Sequence, residues 1–155
     1  MTQGNEVVVS SCDGFRQEVW AGEHTLVVDE PTALGGGGSG LNPYELILAA
    51  LGACTSMTIR LYAQRKAWPL EHVEVRLHHS RIHAQDCADC LKQEGYLDHV
   101  EKEIVVGGPL TEAQVARLGE IAERCPVNVT LHAAVRTKQT IRLAVRAEAQ
   151  ALAAG

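Results

Sequence analysis

Asn42-Pro43-Tyr44-Glu45-Leu46-Ile47-Leu48-Ala49-Ala50-Leu51-Gly52-Ala53-Cys54-Thr55-Ser56-Met57-Thr58 is the stretch that decides the fold. Asn42 can cap a helix, and Pro43 fits a first turn whose N–H would be unpaired anyway. Apolar residues continue well beyond it until Lys66-Ala67-Trp68-Pro69-Leu70, where Pro69 cannot carry the hydrogen-bond ladder further. The pattern predicts one helix from Pro43 to about Arg65. Ile47, Ala50, Leu51, Cys54, Thr58 and Leu61 share a face at the spacing of a buried helix. Much of the circumference is apolar, more than one small sheet can cover. A second helix, or a copy of the chain across a dimer axis, is expected to bury the rest.

On either side of this helix the signals are those of strands. Val7–Ser11 is β-branched, and Cys12-Asp13-Gly14 then marks a turn. Phe15–Trp20 alternates and reads as the return strand. After Ala21-Gly22-Glu23 comes a third strand, His24–Asp29. Gly35-Gly36-Gly37-Gly38-Ser39-Gly40 reads as a mobile connection, and it lacks the Lys-Ser/Thr ending of a phosphate-binding loop. Downstream, His72–His83 sets Val73, Val75 and Leu77 against Glu74, Arg76 and His78, with Tyr96–Val106 as its hairpin partner. Thr111 and Gln114 have the capping-box spacing, and Val115, Leu118, Ala122 and Cys125 line the helix that follows. Pro126 interrupts that helix and suits the start of another, with Cys125 at its cap. Thr137–Val145 is expected to close as a strand. Strands grouped around isolated helices indicate an α+β fold with antiparallel pairing. The expected organisation is a single domain over 1–155. It comprises N-terminal strands over 1–34, a glycine-rich connection over 35–41, a helix–sheet body over 42–146 and a tail over 147–155.

The bulk properties narrow the function. The net charge is −5 and no basic stripe is visible, which argues against a nucleic-acid surface. Aromatic residues make up only 4% of the chain, so the core must be aliphatic. The N-terminus shows no basic segment followed by an apolar run, and Leu46–Met57 is short for a bilayer span. A cytoplasmic protein with no membrane partner is the expectation.

The five cysteines are Cys12, Cys54, Cys87, Cys90 and Cys125, an odd number that does not suit a disulfide framework. Cys54 and Cys125 each lie in an apolar helical setting. A thiol there can be inert packing. Two such thiols that meet in the fold can instead attack and resolve. Cys87-x-x-Cys90 is a second constellation. It could hold a metal with His83 or other flanking histidines, serve as an auxiliary redox pair, or be a plain pair of thiols, since four zinc ligands are usual and no second pair exists. Cys12 sits at a turn and carries no motif. No serine-centred nucleophile motif is present.

Asn42-Pro43-Tyr44-Glu45-Leu46, leading into Ala53-Cys54-Thr55-Ser56-Met57 and followed by Cys125-Pro126-Val127, resembles the OsmC/Ohr family of osmotically inducible and organic-hydroperoxide-resistance proteins. The likeness covers nearly the whole chain. Tyr62-Ala63-Gln64-Arg65-Lys66, Trp68-Pro69-Leu70 and His83–Cys90 resemble an OsmC-like branch more than the Ohr branch. The resemblance implies an intertwined homodimer with N-terminal strands packed on the partner and active sites at the interface. It also implies thiol-dependent reduction of small hydroperoxides. No cofactor is required beyond an external dithiol reductant, a lipoyl-bearing protein or a small thiol. In that chemistry Cys54 attacks the peroxide and becomes a sulfenic acid, and Cys125 condenses with it to a disulfide.

Attack needs thiolate, so the pKa of Cys54 must fall below the free value near ~8.5. Cys54 lies about three turns into its helix, beyond the field of the N-terminus, and burial alone would raise its pKa. A cation is therefore required. The resemblance points to Arg16, and to a glutamate directly after the Asn-Pro pair that holds it. Here that position is Tyr44 and the glutamate is Glu45. At about 100° per residue, Glu45 falls on roughly the opposite face from Cys54, while Tyr44 is about 80° away. Glu45 can serve if the helix begins late or if it reaches a partner's site. The departure leaves an alternative open: an OsmC-like redox-sensing or metal- or ligand-binding protein with little peroxidase turnover.

Overall fold

The computed structural model describes residues 6–11, 13–83, 96–133 and 137–143. The chain forms two compact units, Met1–Pro43 with Arg136–Gly155 and Tyr44–Val135.

In the first unit, strands β1 (Val8–Ser10), β2 (Gln17–Ala21) and β3 (His24–Val28) form an antiparallel meander in that order. The β2–β3 hairpin closes through a two-residue loop, where Gly22 supplies the positive φ (61°) such a turn needs. Beyond β3 the glycine-rich segment departs from the mobile connection expected of its composition. It is built around Asp29, whose side chain is 2% exposed. One carboxylate oxygen accepts from the N–H of Glu30 at 2.9 Å. The other accepts from the N–H of Gly37 at 3.0 Å and from the N–H and hydroxyl of Ser39 at 3.1 and 2.8 Å. Glycine is needed because the loop runs against its own strand. A Cβ at Gly36 would collide with the Glu30 carbonyl, and one at Gly40 with the Val27 carbonyl.

The hydrogen bonds from the Ser39 N–H and hydroxyl, helped by those from Glu30 and Gly37, outweigh burial and hold the Asp29 carboxyl below its ordinary range. A carboxyl lowered on folding stabilises the fold fully above its unfolded value of about 3.9, and that contribution is lost as pH falls through the folded pKa. Melting curves of wild type and Asp29→Asn should therefore differ most near neutral pH and converge in acid. A constant gap at all pH values would contradict this role.

In the second unit, α1 (Pro43–Arg65) is followed by β4 (His72–His83), β5 (Tyr96–Gly107), α2 (Glu112–Ala122) and α3 (Pro126–His132). Helix α1 ends in a Schellman closure. The Trp68 N–H reaches the Ala63 carbonyl at 2.9 Å, the Ala67 N–H reaches that of Gln64 at 3.0 Å, and Ala67 takes the left-handed conformation (φ 53°). The buried stripe of α1 is Leu51, Thr55, Ile59 and Ala63. This differs from the expected face: Ile47, Ala50 and Leu61 are exposed, and Cys54 and Thr58 are half-buried. An almost uniformly apolar helix gives no phase by periodicity, and the neighbours choose the stripe. Its full 23 residues, with a mean hydropathy of 1.5 over the most apolar window, are long and apolar enough to cross a membrane, against the reading of a shorter stretch. The core helix of a soluble protein meets the same test.

β4 and β5 pair antiparallel from His72↔Gly107 to His83↔Tyr96. One face carries Val73, Val75 and Leu77 opposite Val106, Ile104 and Lys102. The core joins this face to the helices: Ile59 and Ala63 of α1 meet Leu118 and Ala122 of α2, with Val73, Ile104, Val106 and Trp68 packed around them. Helix α2 starts with the expected capping box, Thr111 and Gln114 satisfying each other's backbone N–H. Val115, placed on the inner face by the sequence, is exposed.

The closing strand expected over Thr137–Val145 is not formed at residues 137–143, where Ile141 and Leu143 are 89% and 93% exposed. Alternating composition alone does not make a strand. It needs an edge to pair with, and these residues have none among the described strands.

Candidate active site

Cys54 is carried on α1, one residue from the buried stripe, and is half-buried. Cys125 follows α2 and is the N-cap of α3, with Pro126 in the first helical position, as its sequence setting implied. It is fully buried. Both thiols are free, and their side chains interact directly.

The two sulfurs are not equivalent. Burial raises the pKa of Cys54, and the hydrogen bond it shares with Cys125 holds its proton further, against weaker opposition from the Val127 N–H and the Thr58 hydroxyl. Burial also pushes Cys125 up. There the Cys54 thiol, the Asn128 N–H, the Thr55 hydroxyl and the Val127 N–H outweigh it and lower the pKa. Cys125 forms no side-chain cap hydrogen bond to the first turn of α3; the Asn128 and Val127 N–H groups act as polar groups around the sulfur. Thr55 Oγ1 is buried with no formed hydrogen bond of its own. The Cys125 sulfur gives that hydroxyl something to face. In the pair, negative charge is therefore favoured on Cys125 over Cys54.

Arg16 precedes β2 in the first unit, and its Nη1 pairs with Glu18 Oε1 at 2.7 Å on the exposed surface. Glu45 is exposed in the first turn of α1. Tyr44 stacks on the His79 ring with centroids 4.5 Å apart, and His79 Nε2 lies 3.0 Å from Asp98 Oδ1. Cys12, Cys87 and Cys90 lie outside the described residues, as does the side chain of His83. Among the described residues no group of three or more His, Cys, Asp or Glu could hold a metal ion. Thr55 and Asn128 are the neighbours that sequence reasoning missed. A polar residue on the buried stripe of α1 was the available signal for Thr55.

A family model described as OsmC-like protein matches residues 36–140. The chain belongs to the OsmC-like protein family. Its fold is shared with solved structures of low identity. An OsmC-like protein from Mycoplasma pneumoniae is 17% identical, over 85% of this chain and 89% of that one, with a TM-score of 0.67. An organic hydroperoxide resistance protein OsmC from Legionella pneumophila is 23% identical, over 84% and 90%, with a TM-score of 0.63. OhrB of Bacillus subtilis, an organic hydroperoxide resistance protein, is 20% identical, over 84% and 91%, with a TM-score of 0.58. No curated protein matches the chain. OsmC-like proteins are soluble, are generally free of cofactors and are known as dimers. The α+β architecture with antiparallel sheets and one long helix is that of the family.

Proposed function

We propose that this OsmC-like protein is a cytoplasmic, thiol-dependent peroxidase that reduces organic hydroperoxides through Cys54 and Cys125 in defence against oxidative stress. The observation that carries the reading is the direct interaction of two free thiols, one half-buried and one fully buried, with charge favoured on the inner one. Cys54 is the sulfur a substrate can reach, so it attacks. Its proton passes along the shared hydrogen bond to Cys125. The Cys54 thiolate then forms an S–O bond to the distal peroxide oxygen as the O–O bond breaks. The departing alkoxide takes the proton from Cys125 and leaves as an alcohol. Cys125, again a thiolate, attacks the sulfenic sulfur, and hydroxide leaves as the disulfide forms. An external dithiol, a lipoyl protein or a small thiol, returns both sulfurs to the reduced state.

The active assembly is a homodimer. Supporting this, Ile47, Met57 and Leu61 leave α1 with an exposed apolar side. The family resemblance nominates Arg16 as the cation that a buried thiolate needs and Glu45 as the residue that steadies it.

One observation favours a second reading. Tyr44 stands where the family resemblance expects the arginine-holding glutamate, and it is committed to His79. With Arg16 unsupported, the pair would register oxidants with little turnover. Consumption of cumene hydroperoxide in the presence of a dithiol separates the two. Saturable turnover well above that of dithiol alone is expected of the peroxidase, whereas stoichiometric oxidation without turnover is expected of the sensor.

A further inference from the structure

We infer that Lys102 is a positioning residue for Cys125, holding the turn that carries this thiol through Asn128 and Glu123. The inference rests on the reading of Cys54 and Cys125 as a working pair.

Lys102 departs from the pattern of its strand. The β4–β5 register puts it opposite Leu77, on the face that carries Val73, Val75, Ile104 and Val106. Its side chain is only 12% exposed. A lysine on such a face needs partners, since an uncompensated buried charge is costly. It has two. Lys102 Nζ lies 3.1 Å from Glu123 Oε1 and donates to Asn128 Oδ1 at 3.4 Å. Glu123 ends α2, and Asn128 lies in α3. The amide of Asn128 donates in turn to the Glu123 carbonyl at 3.1 Å and to Glu123 Oε2 at 3.4 Å. Three side chains from three elements thus tie together the turn in which Cys125 sits.

The link to the thiol runs through Asn128. Its buried side chain is fixed by Lys102 and Glu123, and its backbone N–H is one of the groups that favour negative charge on Cys125. Among the described contacts, the titratable groups joined to this turn are Cys54 on α1, Lys102 on β5 and Glu123 after α2. Among the described contacts, Lys102 is the cation that joins both Glu123 and Asn128.

The test uses the full chain with Cys12, Cys87 and Cys90 changed to Ser, so that thiolate absorbance reports only Cys54 and Cys125. Lys102→Met should raise the midpoint of the first thiolate by about one pH unit. At neutral pH it should slow closure of the disulfide by diamide, an oxidant that needs no peroxide chemistry, by roughly tenfold. Lys102→Arg should return both values toward wild type. Should Lys102→Met fail to fold by circular dichroism, Lys102→Gln, which keeps a hydrogen-bonding head, decides by the same two readings. A folded neutral variant with an unchanged midpoint would overturn the inference, and so would an arginine variant no better than the neutral one. The midpoint is measured without substrate. A shifted midpoint in a protein that consumes no hydroperoxide would support Lys102 and overturn the peroxidase. Full peroxidase activity with an unmoved midpoint would do the reverse.

Discussion

Cys54→Ser is expected to lower hydroperoxide consumption to the rate of the dithiol alone. A serine hydroxyl at this depth has neither the nucleophilicity nor the acidity to attack a peroxide oxygen. Cys125→Ser should behave differently. It removes the acceptor for the Cys54 proton and the sulfur that closes the disulfide, but it leaves the attacking sulfur in place. Turnover should drop sharply without vanishing, and Cys54 sulfenic acid should accumulate and be captured by dimedone. Cys54→Ser should give no such adduct at Cys125, because that sulfur is fully buried. If instead Cys125→Ser removes all reaction while Cys54→Ser retains it, the two roles are reversed and the favoured charge on Cys125 marks the attacking sulfur.

The largest loss of stability should come from Ile59→Ala. Ile59 is fully buried where α1 meets α2, against Ala63, Leu118 and Ala122, with sheet residues Val73, Ile104 and Val106 close by. Removing its branched side chain loses apolar burial and leaves a cavity that a rigid helix and hairpin cannot close, so urea unfolding should show a loss of about 2–5 kcal/mol. The same substitution at exposed Leu61 should cost far less in a single chain. In a dimer that covers this side of α1, Leu61→Ala should make unfolding more dependent on protein concentration. An Ile59→Ala loss no larger than that of a surface change would place the core elsewhere.

The legible parts of this fold were the ones whose signals are local. Pro43 and the Trp68-Pro69 break fixed α1, and Thr111 with Gln114 fixed the start of α2. Pro126 at a first helical position told that Cys125 would cap a new helix. What failed depended on distant partners. The stripe that α1 buries is chosen by α2 and the hairpin, because its own composition is apolar nearly all round. The glycine-rich segment looked like open chain because the residue that organises it, Asp29, lies eight to ten positions before the N–H groups it holds. The strand expected after Thr137 needed an edge that no local pattern reveals. At the site, the two cysteines could be named from their motifs, but their direct interaction depends on how α1 and α3 pack. Asn128 and Lys102 carried no motif. Only the hairpin register shows that Lys102 shares a face with Ile104 and Val106.

The most direct test is to add one equivalent of cumene hydroperoxide to the fully reduced protein, with no external thiol, and to map the products by mass spectrometry. The account predicts one equivalent of alcohol, the loss of two thiols and a disulfide joining Cys54 to Cys125. Unconsumed hydroperoxide, or oxidation confined to Cys87 and Cys90 while Cys54 stays reduced, would contradict it.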